Sequence, residues 1–107
     1  MTSTGQITKE AVFAASSDFY GTTAQVNIAV EELAECIVAI QKYFYREGTG
    51  QRLVELAGEI ADVQLVLEQL QYIIHESCPD ADIRGLVKKT YLYKLTRLAQ
   101  RVSLLPT

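Results

Sequence analysis

Apolar and polar positions recur with the period of an α-helix along most of the chain. Thr8 suits the N-cap of a short helix, Lys9 to about Tyr20, which Gly21 ends, and Thr22 or Thr23 suits the cap of the next. From Ala24 to Glu47 nothing interrupts a helix until Gly48-Thr49-Gly50. A second long helix is predicted from about Gln51 to Glu76, closed by Ser77-Cys78-Pro79. Asp80 and Asp82 suit the first turn of a final helix reaching about Ser103, with Lys and Arg gathered towards its end. The pattern predicts an all-α fold, an antiparallel helical bundle of one short and three long helices.

The two central helices are apolar on more than one side. Between residues 24 and 47, Val26, Val30, Leu33, Ile37, Ile40 and Phe44 read as the main apolar side. A second stripe of Gln25, Ile28, Glu32, Glu35, Ala39 and Lys42 runs beside it at helical spacing. Between residues 51 and 76, Leu56, Ile60, Val63, Leu67, Leu70 and Ile74 form a seam at heptad-like spacing, and Gln64, Glu68 and Gln71 read as the solvated face. Glu55, Glu59, Asp62 and Gln69 fall elsewhere, interleaved with Val66 and Ile73, where a single solvated face requires no acids. A short glycine-containing loop makes the two helices antiparallel, which brings Glu32 and Glu35 to heights similar to those of Glu59 and Asp62. Helices apolar on several sides exceed what one small chain can cover, so a homodimer or homotetramer is expected.

A length of 107 residues with 49% hydrophobic content suits one core, hence a single domain over 1–107 with flexible ends at 1–7 and 104–107. The net charge of −3 leaves no cation excess for a polynucleotide, whereas a small phosphorylated ligand remains compatible once a metal reverses the local sign. No apolar run reaches the roughly 18 residues needed to span a bilayer, and no basic-then-apolar leader opens the chain. Cys36 and Cys78 lack metal-type spacing and read as free thiols. These features predict a cytoplasmic protein with no membrane partner.

The acids carry the candidate chemistry. Glu31/Glu35 and Glu55/Glu59 are i,i+4 pairs, and Glu32/Glu35 and Glu59/Asp62 are i,i+3 pairs, so like charges crowd on both helices. Carboxylates among apolar groups either keep a proton or are held ionised by a cation. An all-oxygen set suits Mg²⁺ or Mn²⁺. The single histidine, His75, lies off both acidic stripes, which disfavours zinc and a carboxylate-bridged di-iron centre. Lys94, Arg97 and Arg101 form an i, i+3, i+7 stripe suited to the β- and γ-phosphates of a nucleotide, and Lys42 continues the acidic stripe. Gln25 and Asn27, one and two turns before the acids, are candidates to read a base edge or ribose.

Glu31-Glu32-Leu33-Ala34-Glu35, followed after 23 residues by Glu59-Ile60-Ala61-Asp62, resembles the EExxE…ExxD signature of MazG-like and dimeric dUTPase-like pyrophosphohydrolases. Tyr20-Gly21, Ala24-Gln25 and Ala29-Val30 are similar to the start of the acidic helix in small MazG-like proteins, and Lys94-Leu95-Thr96-Arg97-Leu98 with Arg101 to their basic C-terminal helix. The resemblance implies Mg²⁺-dependent hydrolysis of a (deoxy)nucleoside triphosphate at the α–β linkage, giving monophosphate and pyrophosphate. It also implies that Glu32, Glu35, Glu59 and Asp62 are the metal ligands. Glu31 is then the first candidate for general base or supporting catalytic group, and Glu55 the second. The competing expectation is a MazG-like helical dimerisation module without catalysis.

Overall fold

A computed structural model of the chain describes residues 6–107. The N-terminal stretch expected to be flexible lies, up to residue 5, outside them. Four α-helices occur among the described residues, α1 (Lys9–Tyr20), α2 (Thr22–Tyr45), α3 (Gly50–Ser77) and α4 (Ile83–Arg101), with a 3₁₀ turn at Pro79–Ala81 and no strand. The fold is all-α, as the periodicity predicts, and no helix among these residues is long and apolar enough to cross a membrane.

Local chemistry sets the helix ends. The Thr8 hydroxyl accepts from the Ala11 N–H at 3.1 Å and caps α1. Gly21, at φ 82°, both ends α1 and starts α2: its N–H donates to the Ser17 carbonyl at 2.9 Å, and its own carbonyl accepts from the Gln25 N–H at 3.2 Å. Thr22 and Thr23, expected to cap α2, therefore lie inside its first turn. At α3 the Thr49 hydroxyl accepts from the Arg52 N–H at 3.2 Å. Asp82, in the left-handed region at φ 47°, caps α4 by accepting from the Gly85 N–H at 3.2 Å. α4 stops at Arg101, two residues short of expectation, where Ser103 takes φ 63°. Beyond it the Leu104 N–H donates to the Ala99 carbonyl at 2.8 Å and the Gln100 side-chain amide to the Pro106 carbonyl at 3.1 Å.

The chain forms two compact units, one ending at Ile73 and one spanning Ile74–Thr107. In the first, the buried positions are Phe13 of α1, Gln25, Ala29, Cys36 and Ala39 of α2, and Leu56 and Val66 of α3. This corrects the expected orientation of α2, and that of α3 in part, since Leu56 of its supposed seam is buried and Val63 and Leu70 are half-buried. Val30, Ile37 and Phe44, from the supposed main apolar side of α2, are 62%, 58% and 66% exposed, and Ile60 and Leu67 of the supposed α3 seam are also exposed. Gln25, Ala29, Cys36 and Ala39 of α2 face inward instead, with Glu32 half-buried among them and Glu35 exposed. The buried positions of α2 are thus small residues, Ala29, Cys36 and Ala39, beside the amide of Gln25.

α1 closes the first unit. Phe13 packs on Tyr72 with ring centroids 6.0 Å apart, and the Lys9 ammonium pairs with Glu68 at 2.6 Å. In the second unit no residue of α4 is buried. Cys36 and Cys78 are both free thiols, the first buried and the second exposed.

Candidate metal centre

Glu32 on α2 and Glu59 and Asp62 on α3 come together across the helical seam. Each offers a carboxylate oxygen within 4.8 Å of the other two. The spacing explains this: Ala29 and Cys36 flank Glu32 one turn away, and Leu56 and Val63 flank Glu59, so helical phase carries the acids into the contact with their apolar neighbours. Glu32 and Glu59 are half-buried, and one oxygen of each, Glu32 Oε2 and Glu59 Oε2, is buried without a hydrogen-bond partner. Such orphaned acceptors are costly unless a cation or donor meets them.

Electrostatics point the same way. Burial, then the charges of Glu35 and Asp62, push the Glu32 carboxyl above the usual glutamate range, and a hydrogen bond to Asp62 and the charge of Glu59 add to the shift. Burial, then Glu35 and Asp62, raise Glu59 likewise, with a hydrogen bond to Glu35. A hydrogen bond between two carboxyl groups needs a proton on one of them. Both shifts mark a cluster whose ionised form is disfavoured by burial and by its own like charges, and a divalent cation is one species that would offset both. The donor set is all oxygen, and it fits Mg²⁺ or Mn²⁺. Glu35 is more exposed and stands beside the triplet, linked to it through Glu59.

A groove of about 370 Å³ adjoins these acids, lined by Glu35, Val38, Ala39, Lys42, Arg52, Glu55 and Glu59. That volume lies within the range of small-molecule pockets. The groove is acidic where Glu35 and Glu59 line it and cationic where Lys42 of α2 faces Arg52 of α3. Glu55 is a wall of this groove, with its carboxylate accepting from Gln51 Nε2 at 3.3 Å and from the Arg52 guanidinium at 3.2 Å. Those hydrogen bonds, and the charges of Arg52 and Lys42, hold its carboxyl below the usual range. A base so engaged is weakened, which diminishes Glu55 in the role expected of it.

The remaining sequence-predicted residues fare unevenly. Glu31 is exposed and does not line the groove. Asn27 is likewise exposed and outside it. Gln25 requires correction: it is 6% exposed, its amide donates to Ser17 Oγ at 3.2 Å and to the Gly21 carbonyl at 3.4 Å, and its oxygen accepts from Ser16 Oγ at 3.3 Å. With those bonds made it joins α1 to α2 and is not free to read a base. Lys94, Arg97 and Arg101 line a separate depression in the second unit with Tyr93 and Leu98. There the Arg97 guanidinium sits 5.9 Å from the Tyr93 ring centre. Arg52 is the groove residue that sequence reasoning missed. Its signal lay in its position beside the loop, opposite Lys42 on the antiparallel partner.

Compared with protein family models, with curated proteins and with solved structures, the chain matches none of them.

Proposed function

We propose that the chain is a Mg²⁺-dependent hydrolase of a (deoxy)nucleoside triphosphate, cleaving the α–β linkage to release monophosphate and pyrophosphate, as its resemblance to MazG-like enzymes implies. The observation that carries this reading is the pair of orphaned, buried oxygens on Glu32 and Glu59, converging with Asp62 beside a groove that ends in Lys42 and Arg52. Glu32, Glu59 and Asp62 would hold the ion, with Glu35 beside them. When bound, Mg²⁺ screens the triphosphate charge and increases the acidity of water. The chain's own residues do the rest. Lys42 and Arg52 offer the outer phosphates cationic donors, with Arg52 suited to a two-pronged contact. Water attacks the α-phosphorus, the bond to the bridging oxygen breaks, and the water proton passes to a carboxylate, for which Glu35, an exposed acid of the groove not held by Gln51 and Arg52 as Glu55 is, is the candidate.

A panel of common nucleoside triphosphates, with pyrophosphate release followed in the presence and absence of Mg²⁺ or Mn²⁺, tests the reading. Release from at least one nucleotide is expected with the ion alone present. Glu59→Gln is expected to slow it by about 100-fold or more. Full activity in that variant removes Glu59 from the ligand set, and silence across the panel sinks the enzymatic reading.

A second reading, a helical interaction module without chemistry, is favoured by the exposed apolar stripe of α2. Metal response separates the two. A module has no reason to gain thermal stability from Mg²⁺, whereas an enzyme with this site does.

A further inference from the structure

We infer, as an extension that rests on the proposed hydrolase function, that Glu55 is a positioning residue: it holds the Arg52 guanidinium along the groove, ready for the outer phosphates of the substrate. Gln51, Arg52, Glu55 and Glu59 share one side of α3 at helical spacing, so Glu55 stands one turn from the cation and one turn from the acids. Seven residues, about 10 Å of helix, separate Arg52 from Glu59. Side chains on a helix lean towards its N-terminus, which for Arg52 is the Gly48–Gly50 loop, away from the acids. The 3.2 Å bond from Arg52 Nη1 to Glu55 Oε1 pulls the other way and keeps the guanidinium on the groove wall.

Both carboxylate oxygens of Glu55 are engaged, Oε1 by Arg52 and Oε2 by the Gln51 amide at 3.3 Å. A carboxylate held at both oxygens is a poor proton acceptor and a good anchor. Arg52 still has donors to give. A guanidinium carries five N–H donors in a planar fork, and Glu55 takes one of them. Lys42 lines the same groove from α2, close enough for its charge to act on Glu55. A phosphate entering there meets two cations, one of them already oriented. A loose arginine gives up side-chain freedom when it binds, whereas one held beforehand gives up little. Such orientation strengthens the grip on the phosphates without touching the bond that breaks, so its effect belongs in KM and not in kcat.

The test is a cycle of Glu55→Ala, Arg52→Ala and the double variant. It is read as KM and kcat for whichever nucleotide the wild type cleaves and, separately, as calorimetric binding of inorganic tripolyphosphate in the presence of Mg²⁺. Glu55→Ala is expected to raise KM and the tripolyphosphate Kd by about tenfold, with kcat within about twofold of the wild type. Arg52→Ala should weaken both at least as much, and removing Glu55 from that background should weaken neither further. Glu55→Gln keeps an oxygen for Arg52 through a neutral bond about half as strong, and should return to within about threefold of the wild type. Glu55 is exposed, so all of these variants should keep the helical circular dichroism. Losses that multiply in the double variant overturn the inference, as does a fall in kcat with KM and Kd unmoved. So does a Glu55→Ala chain that binds tripolyphosphate as tightly as the wild type or more tightly, because the carboxylate would then compete with phosphate for Arg52. A wild-type chain that does not bind tripolyphosphate at about 1 mM overturns it as well. The two failures are distinct: absence of pyrophosphate release from every nucleotide sinks the hydrolase, while tripolyphosphate binding that needs Glu55 only when Arg52 is present upholds the positioning role.

Discussion

Glu32 and Glu59 hold their protons to higher pH when folded than when unfolded, because burial and neighbouring acids disfavour their charge. A group whose native pKa is raised contributes stability that is present below its unfolded value and lost as pH rises through the native one. In the absence of divalent ions the Tm should therefore fall as pH climbs out of the ordinary glutamate range, near about 4.3, towards neutrality. Glu55, held low by Gln51 and Arg52, works in the other direction: its contribution is lost only as pH drops through a value below that range. Added Mg²⁺ should restore the Tm most strongly at neutral and higher pH, where the cluster would otherwise repel itself. Thermal unfolding across pH, with and without Mg²⁺, measures this, and a metal response that shrinks as pH rises contradicts it. At this scale the acids were legible, because paired carboxylates on two helices stand out from ordinary surface Glu. The stripe already set Glu32 rather than Glu31 inward, but it did not tell that Glu35, one turn on, would stay exposed beside the triplet. Arg52 was hidden for a different reason: its i,i+3 pairing with Glu55 looks like any surface ion pair until Lys42 is set opposite.

The helices themselves were read correctly from residues that leave the chain few options, namely Thr8, Gly21, the Gly48–Gly50 loop and Pro79. Gly21 is the most constrained of them. At φ 82° and ψ 161° it occupies a region that side chains rarely enter, yet no atom lies within 4 Å of where a Cβ would stand. Gly21→Ala should therefore destabilise the fold by about 1–3 kcal/mol through backbone strain alone. Thr8→Ala, which removes a cap without strain, should cost about 1 kcal/mol. Urea unfolding of the two variants distinguishes them, and an unchanged midpoint for Gly21→Ala refutes the strain. Which faces meet was the part misjudged. Hydrophobicity marks the Val26–Phe44 stripe as the stronger apolar side, but the positions that α2 buries are the small residues Ala29, Cys36 and Ala39 with Gln25, which a scale of hydrophobicity ranks below it.

For the whole molecule, one orientation of two helices accounts for both the groove and the uncovered face. Turning Glu32 inward necessarily turns the larger aliphatic side chains of α2 outward, so the same rotation that builds a candidate metal centre leaves Val30, Ile37 and Phe44 exposed. The all-α class and the surplus of apolar surface were visible in the pattern. Its sidedness was not, because periodicity gives angles within a helix and only packing gives the angle between helices.

The gathering of Glu32, Glu59 and Asp62, each with a carboxylate oxygen within 4.8 Å of the other two, would also discriminate among ions by size. Three carboxylates so gathered would suit the few short bonds of about 2.0–2.1 Å that Mg²⁺ takes from protein, while Ca²⁺ asks for about 2.3–2.6 Å and more ligands. Cys36→Leu, one turn from Glu32, should wedge the helices apart and shift the preferred ion from Mg²⁺ towards Ca²⁺. Thermal shifts with each ion would register the change, and an unaltered order of preference would mean that the distance between the two helices does not choose the ion.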